Sequence, residues 1–121
     1  METEQFDEAS VLTKSVIRAA DSMGLSDAEL ASALGLKVAE VHSIFSGSFP
    51  IETESTPGRL ALQLVRIYLA LCTLVGPDAR LLDTWTHSHN EALGAEPANR
   101  IQTPDGMSQV LSYVEAMSQA T

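Results

Sequence analysis

The residues best suited to chemistry are three histidines, one cysteine and a large set of carboxylates. His87 and His89 flank Ser88 and invite a metal reading. Two residues apart on a helix do not share a face, however, and no cysteine or second histidine group completes a tetrahedral set. His42 lies far upstream. Surface or capping roles are expected for these side chains, with no metal bound. Cys72 stands alone in Leu69-Ala70-Leu71-Cys72-Thr73-Leu74, where a small buried hydrophobe is expected rather than a reactive thiol. A single cysteine excludes an internal disulfide. The chain has no glycine-rich phosphate loop, nucleophile elbow or paired histidine–acid motif. The expectation is a protein that is not an enzyme and holds no cofactor.

The charge balance says more about partners. There are 16 acidic residues against 7 basic, a formal charge of −9. Four of the acids, Glu2, Glu4, Asp7 and Glu8, fall in the first eight residues and read as a solvated arm. Such a field repels nucleic acid and attracts basic partners. The acidic, polar start is the wrong chemistry for a signal or transit peptide. The most apolar run, Leu60 to Val75, is interrupted by Gln63 and Arg66 and falls short of a span of ~20 residues. A cytoplasmic protein with no membrane partner is expected.

Positioning these groups requires a scaffold, and its composition is helical. The 121 residues suit one domain, or two small lobes sharing a core. Aromatics make up only 5%, and the abundance of Ala and Leu favours helix-on-helix packing. A first helix is predicted from about Asp7 to Met23, with Leu12, Val16, Ala19, Ala20 and Met23 on one stripe and Gly24 ending it. Ser26 and Glu29 have capping-box spacing for a second helix, which Gly35 breaks. A third, from about Lys37 to Ser46, is predicted to turn Val41, Ile44 and Phe45 inward.

After a connector from Ser48, Thr56-Pro57 reads as a cap followed by proline at the first helical position. The helix it opens, to about Val75, is apolar on nearly every side. Such a helix is either a buried rod or an oligomer interface. Gly76-Pro77-Asp78 starts a helix to about Thr86, Glu96-Pro97 starts a short turn, and Thr103-Pro104-Asp105 caps the last helix. That helix carries Met107, Val110, Leu111, Val114 and Met117 on one stripe. No strand-like alternation of any length appears, so the class is all-α.

Leu25 to Gly47 places two short helices around a glycine, with Leu30, Ala31, Leu34, Leu36, Val41 and Ile44 apolar. That pattern packs a helix-turn-helix and aims its second helix at a major groove. The segment is similar to the Xre-type, lambda-repressor-like motif. Its base-facing positions would be Lys37, Ala39, Glu40, His42, Ser43 and Ser46. One lysine stands against Asp27, Glu29 and Glu40 in this stretch, a meagre set for neutralising phosphates. DNA binding and a scaffold that no longer binds DNA both stay open.

In the C-terminal part, Trp85 can anchor a helix end and Asn90 can hydrogen-bond a turn. Leu93 returns to the core, Gly94 permits a reversal and Pro97 starts a helix. Trp85, Asn90, Leu93, Gly94, Pro97, Gly106, Val110 and Leu111, in this order and spacing, resemble the toxin-binding domain of Xre/MbcA/ParS-type antitoxins. The resemblance implies a lambda-repressor-like helix-turn-helix bundle over residues 1–75 and a small helical toxin-binding lobe over 76–121. It further implies a type II toxin–antitoxin role, in which the lobe covers the active site of a RES-domain, NAD-consuming toxin. A homodimer, and operator DNA through which the protein represses its own operon, belong to the same expectation. The alternative is a stand-alone helix-turn-helix transcriptional regulator whose C-terminal lobe serves self-association.

Overall fold

A computed structural model describes residues 7–48 and 50–120. Glu2 and Glu4 of the acidic arm, Phe49 in the connector and the terminal Thr121 lie outside the described residues. The structure is all-helical: α1 (Glu8–Met23), α2 (Asp27–Leu34), α3 (Val38–Phe45), α4 (Thr56–Val75), α5 (Ala79–Thr86), α6 (Pro97–Arg100) and α7 (Pro104–Ala120). Among the described residues, the one β-type pairing is an isolated bridge between Asn90 and Ala95.

Local chemistry sets most of these boundaries. Gly24 closes α1 at φ 72° and Gly35 closes α2 at φ 70°, left-handed conformations that glycine adopts without a Cβ penalty. The α2 capping box is complete: Ser26 Oγ accepts from the Glu29 N–H at 3.0 Å, and Glu29 Oε1 accepts from the Ser26 N–H at 2.9 Å. At α3 only half of such a box exists. Glu40 Oε1 accepts from the Lys37 N–H at 2.8 Å, while the Lys37 ammonium has no acceptor to return the bond.

The α4 cap differs from the sequence expectation by one residue. Ser55, not Thr56, is the cap, with its Oγ accepting from the Gly58 N–H at 3.1 Å and Pro57 inside the first turn. Both residues carry a hydroxyl, and the choice falls to the one whose oxygen reaches a free backbone donor.

α4 is the central element. α7 and α1 pack most extensively on it, and α2 and α5 also touch it. Leu60, Ala61, Leu64, Ile67 and Leu71 of α4 join Val16, Met23, Leu34, Ile44, Met107 and Val110 in one continuous apolar cluster. At 20 residues and with only two arginines, α4 has the length and composition to cross a membrane. That corrects the shorter estimate made from the sequence. Its packing on four other helices is what the core helix of a folded domain shows. Its burial is incomplete, though: Leu69 is 57% exposed and Leu62 is close behind.

Two apolar residues expected in the core are elsewhere. Phe45, predicted to point inward, is 43% exposed, and Met117 at the end of the α7 stripe is equally open. α3 is only two turns long, so Val41 and Ile44 fill its contact with the core. α7 outlasts its contact with the core, and its last buried residue is Val114. Cys72 is half-buried and packs against the core cluster.

Candidate functional site

Asp78 caps α5, its Oδ1 accepting from the Arg80 N–H at 2.8 Å. α5 buries Leu82 and Thr86, and the Thr86 hydroxyl donates back to the Leu82 carbonyl at 2.7 Å. Leu81, one residue over, therefore faces out and is 51% exposed. Beside it, Trp85 is half-buried against the core. Together with Val75, Thr84, Ser88, His89 and Asn90 they line an open, mainly apolar cleft of about 470 Å³.

The turn that follows α5 holds one wall of this cleft. The Asn90 N–H donates to the Ala95 carbonyl at 3.1 Å, and the Asn90 side-chain oxygen accepts from the Leu93 N–H at 3.2 Å. Gly94 reverses the chain at φ 73°. Asn90 thus has the turn-forming role read from sequence.

The eight residues of the C-terminal signature divide sharply. Leu93, Pro97, Gly106, Val110 and Leu111 are buried. Gly106 sits so close to the Arg100 carbonyl that a Cβ there would overlap it. Trp85 and Asn90 border the cleft, and Gly94 is exposed. Sequence reasoning passed over Leu81 and Thr84, and read His89 only as a surface or capping residue. The available signal was the Leu81-Leu82 pair, since neighbouring residues on a helix cannot both point into one core.

On the helix-turn-helix, Lys37, Ala39, His42 and Ser46 are exposed, while Glu40 and Ser43 are half-buried. Several of these side chains are already engaged within the motif. His42 Nε2 lies 2.8 Å from Asp27 Oδ2, and Glu40 caps α3. The Ser43 hydroxyl donates to the Ala39 carbonyl at 3.2 Å, and the Ser46 hydroxyl to the Ser43 carbonyl at 3.0 Å. Lys37 is the one cation in the set. Beside this face, Lys14 and Arg18 of α1 border a cleft of about 490 Å³ that also receives Asp21, Asp27 and the exposed Phe45. Acids offset the nearby cations, which weakens attraction to a phosphate backbone.

Two short helices meeting at a left-handed glycine, braced by a long central helix on which the C-terminal helices also pack, define a helix-turn-helix region in an all-helical fold. Residues 2–43 match the antitoxin Xre-like helix-turn-helix domain. That likeness covers about a third of the chain and is to the kind of helix-turn-helix found in antitoxins. The match ends within α3, ahead of the C-terminal lobe. No curated protein matches the chain.

Proposed function

We propose that this chain is the antitoxin of a type II toxin–antitoxin pair, acting in the cytoplasm on a RES-domain toxin that consumes NAD. Residues 76–121 would lie over the toxin's active-site entrance, and residues 1–75 would carry the helix-turn-helix and the central helix. The observation that carries this reading is the open apolar cleft at Leu81 and Trp85, on a chain that begins with an antitoxin-type domain. Inhibition is steric, and this chain supplies no chemistry. A pocket that accommodates a pyrophosphate is positively charged, and a protein of net charge −9 meets it with complementary potential.

The test is co-expression with the product of the adjacent gene. Growth should be restored and the two proteins should co-purify. If neither occurs, the antitoxin assignment fails. Salt-sensitive binding to one duplex sequence by the purified chain, without a toxin partner, would put a stand-alone regulator in its place. Both activities together would describe an antitoxin that also represses its own operon.

On the antitoxin side we propose a homodimer formed through α4. Leu62 and Val65 of α4 and Val11 and Leu12 of α1 line a groove of about 440 Å³, and the exposed Leu69 lies further along α4. α4 contains Arg59 and Arg66 and no acid. Glu115 of α7 pairs with Arg66, however, and Glu8 borders the groove, so what favours this face is its exposed leucines. Sedimentation velocity should find a dimer for the native protein and a monomer of unchanged helicity for Leu69→Glu. A native protein that is monomeric at ~50 μM, well above the Kd of a stable dimer, would remove the dimer.

A further inference from the structure

The second face of α5 points away from the cleft, toward the corner where α1 ends and α2 begins. Asp83 and His87 lie there one turn apart. Gly24 leaves room for the Asp83 carboxylate, since a Cβ on it would fall 2.5 Å from the carboxyl carbon. The His87 ring bridges two helices. Its Nδ1 is 2.8 Å from Asp83 Oδ1 and 3.2 Å from the Asp83 carbonyl. Its Nε2 is 3.1 and 3.2 Å from the two oxygens of Glu29 on α2.

Every one of these partners is an acceptor. A neutral imidazole has one N–H, so either tautomer would set a nitrogen lone pair against a carboxylate. Only the imidazolium donates on both sides. Glu29 is also the carboxylate that closes the α2 capping box through the Ser26 N–H. One side chain therefore serves both the α2 cap and the tie to α5. The charged partners of His87 among the described residues are Glu29 from α2 and Asp83 from its own helix. α1 brings the uncharged Gly24 to this corner.

We propose that protonated His87 is a latch coupling the start of the helix-turn-helix to the helix that carries the cleft, so that losing the proton loosens both together. The latch stands on this geometry. Its service to a toxin-binding surface rests on the function proposed above. Burial works against charge on both groups, but the hydrogen bonds that the ring donates to Glu29 and Asp83, with the nearby Glu29 charge, outweigh it and raise the His87 pKa above its usual value. Burial likewise opposes ionisation of Glu29, yet the Ser26 N–H and His87 hold its pKa below the usual carboxylate value.

The signs define a window. The raised His87 contributes fully below its unfolded value of 6.5 and loses its contribution as pH rises through the higher folded value. The lowered Glu29 contributes fully above 4.5 and loses its contribution as pH falls through the lower folded value. The latch is therefore strongest at mildly acidic pH and opens on the alkaline side.

An NMR pH titration of the full chain tests this without any partner. The His87 ring, the Trp85 indole N–H and the Leu30 backbone N–H should titrate with one midpoint. In Glu29→Gln, His87 should bind its proton about tenfold less tightly, one pH unit lower. In His87→Gln, the shared transition at Trp85 and Leu30 should vanish. It should persist in His89→Gln, which removes the histidine lining the cleft. A His87 midpoint unmoved in both Glu29→Gln and Asp83→Asn, or a Trp85 and Leu30 transition surviving in His87→Gln, would overturn the latch. Failure of toxin rescue would leave these results untouched.

Discussion

Replacing Leu81 with aspartate is expected to leave the protein folded and, under the antitoxin function proposed above, to weaken binding of the toxin roughly 100-fold. Half of the Leu81 surface already meets water, and its neighbour Leu82 does the packing, so the exchange removes little from the core. At an interface the balance reverses. Covering a leucine contributes ~1.5–3 kcal/mol, and a carboxylate forced out of water without a partner adds a penalty of its own. A loss of ~3 kcal/mol corresponds to roughly a 100-fold weaker complex, and hot-spot positions often exceed it. Titration calorimetry with the purified toxin and growth rescue on co-expression should both register the loss, while the thermal midpoint stays within a few degrees. Leu81→Asp with native affinity and native stability would take the cleft out of the interface. Trp85→Ala is a poorer probe, because Trp85 also packs against the core cluster and its loss mixes stability with binding.

What the sequence made legible was whatever neighbouring residues decide among themselves. The left-handed Gly24 and Gly35, the Ser26–Glu29 box, the Asp78 cap and the Asn90 turn all depend on a few consecutive residues, and each is found where their chemistry puts it. Periodicity found the apolar faces but not their limits. Phe45 and Met117 continue an apolar stripe past the point where a neighbouring helix remains to cover it. Leu62 and Leu69 show the same effect on α4.

The candidate site was less legible than the fold. Spacing picked out eight residues of the C-terminal part, and five of them are buried. Leu81, the open face of the cleft, had no distinguishing mark beyond an apolar neighbour. The His87–Glu29 contact joins residues 58 positions apart, and no local pattern encodes such a meeting. On the helix-turn-helix, no local pattern in the sequence reveals that His42 and Glu40 are already engaged within the motif.

The sharpest stability effect is expected at two glycines that share one construction. Ser55 caps α4 and Thr103 caps α7. In each case the hydroxyl accepts from the N–H of the glycine three residues on, at 3.1 Å for both Gly58 and Gly106. In each case the glycine Cα is pressed against the carbonyl three residues before the cap, Glu52 for one and Arg100 for the other. A Cβ at either position would overlap that carbonyl oxygen, and the obstacle is backbone rather than a side chain that can swing aside. Elsewhere in a helix, exchanging glycine for alanine gains ~1 kcal/mol of helix propensity. Here the overlap must be relieved by moving the incoming loop, and overpacking of that kind costs ~1–3 kcal/mol or more. Gly58→Ala and Gly106→Ala should therefore each lower the urea midpoint, with the thermal midpoint falling by roughly 3–6 °C for each kcal/mol lost. Ser108→Ala, an exposed site on α7, serves as the control and should stay within ~0.5 kcal/mol of the native protein. A midpoint raised by Gly106→Ala would mean that the loop before α7 withdraws freely and that propensity outweighs the close approach.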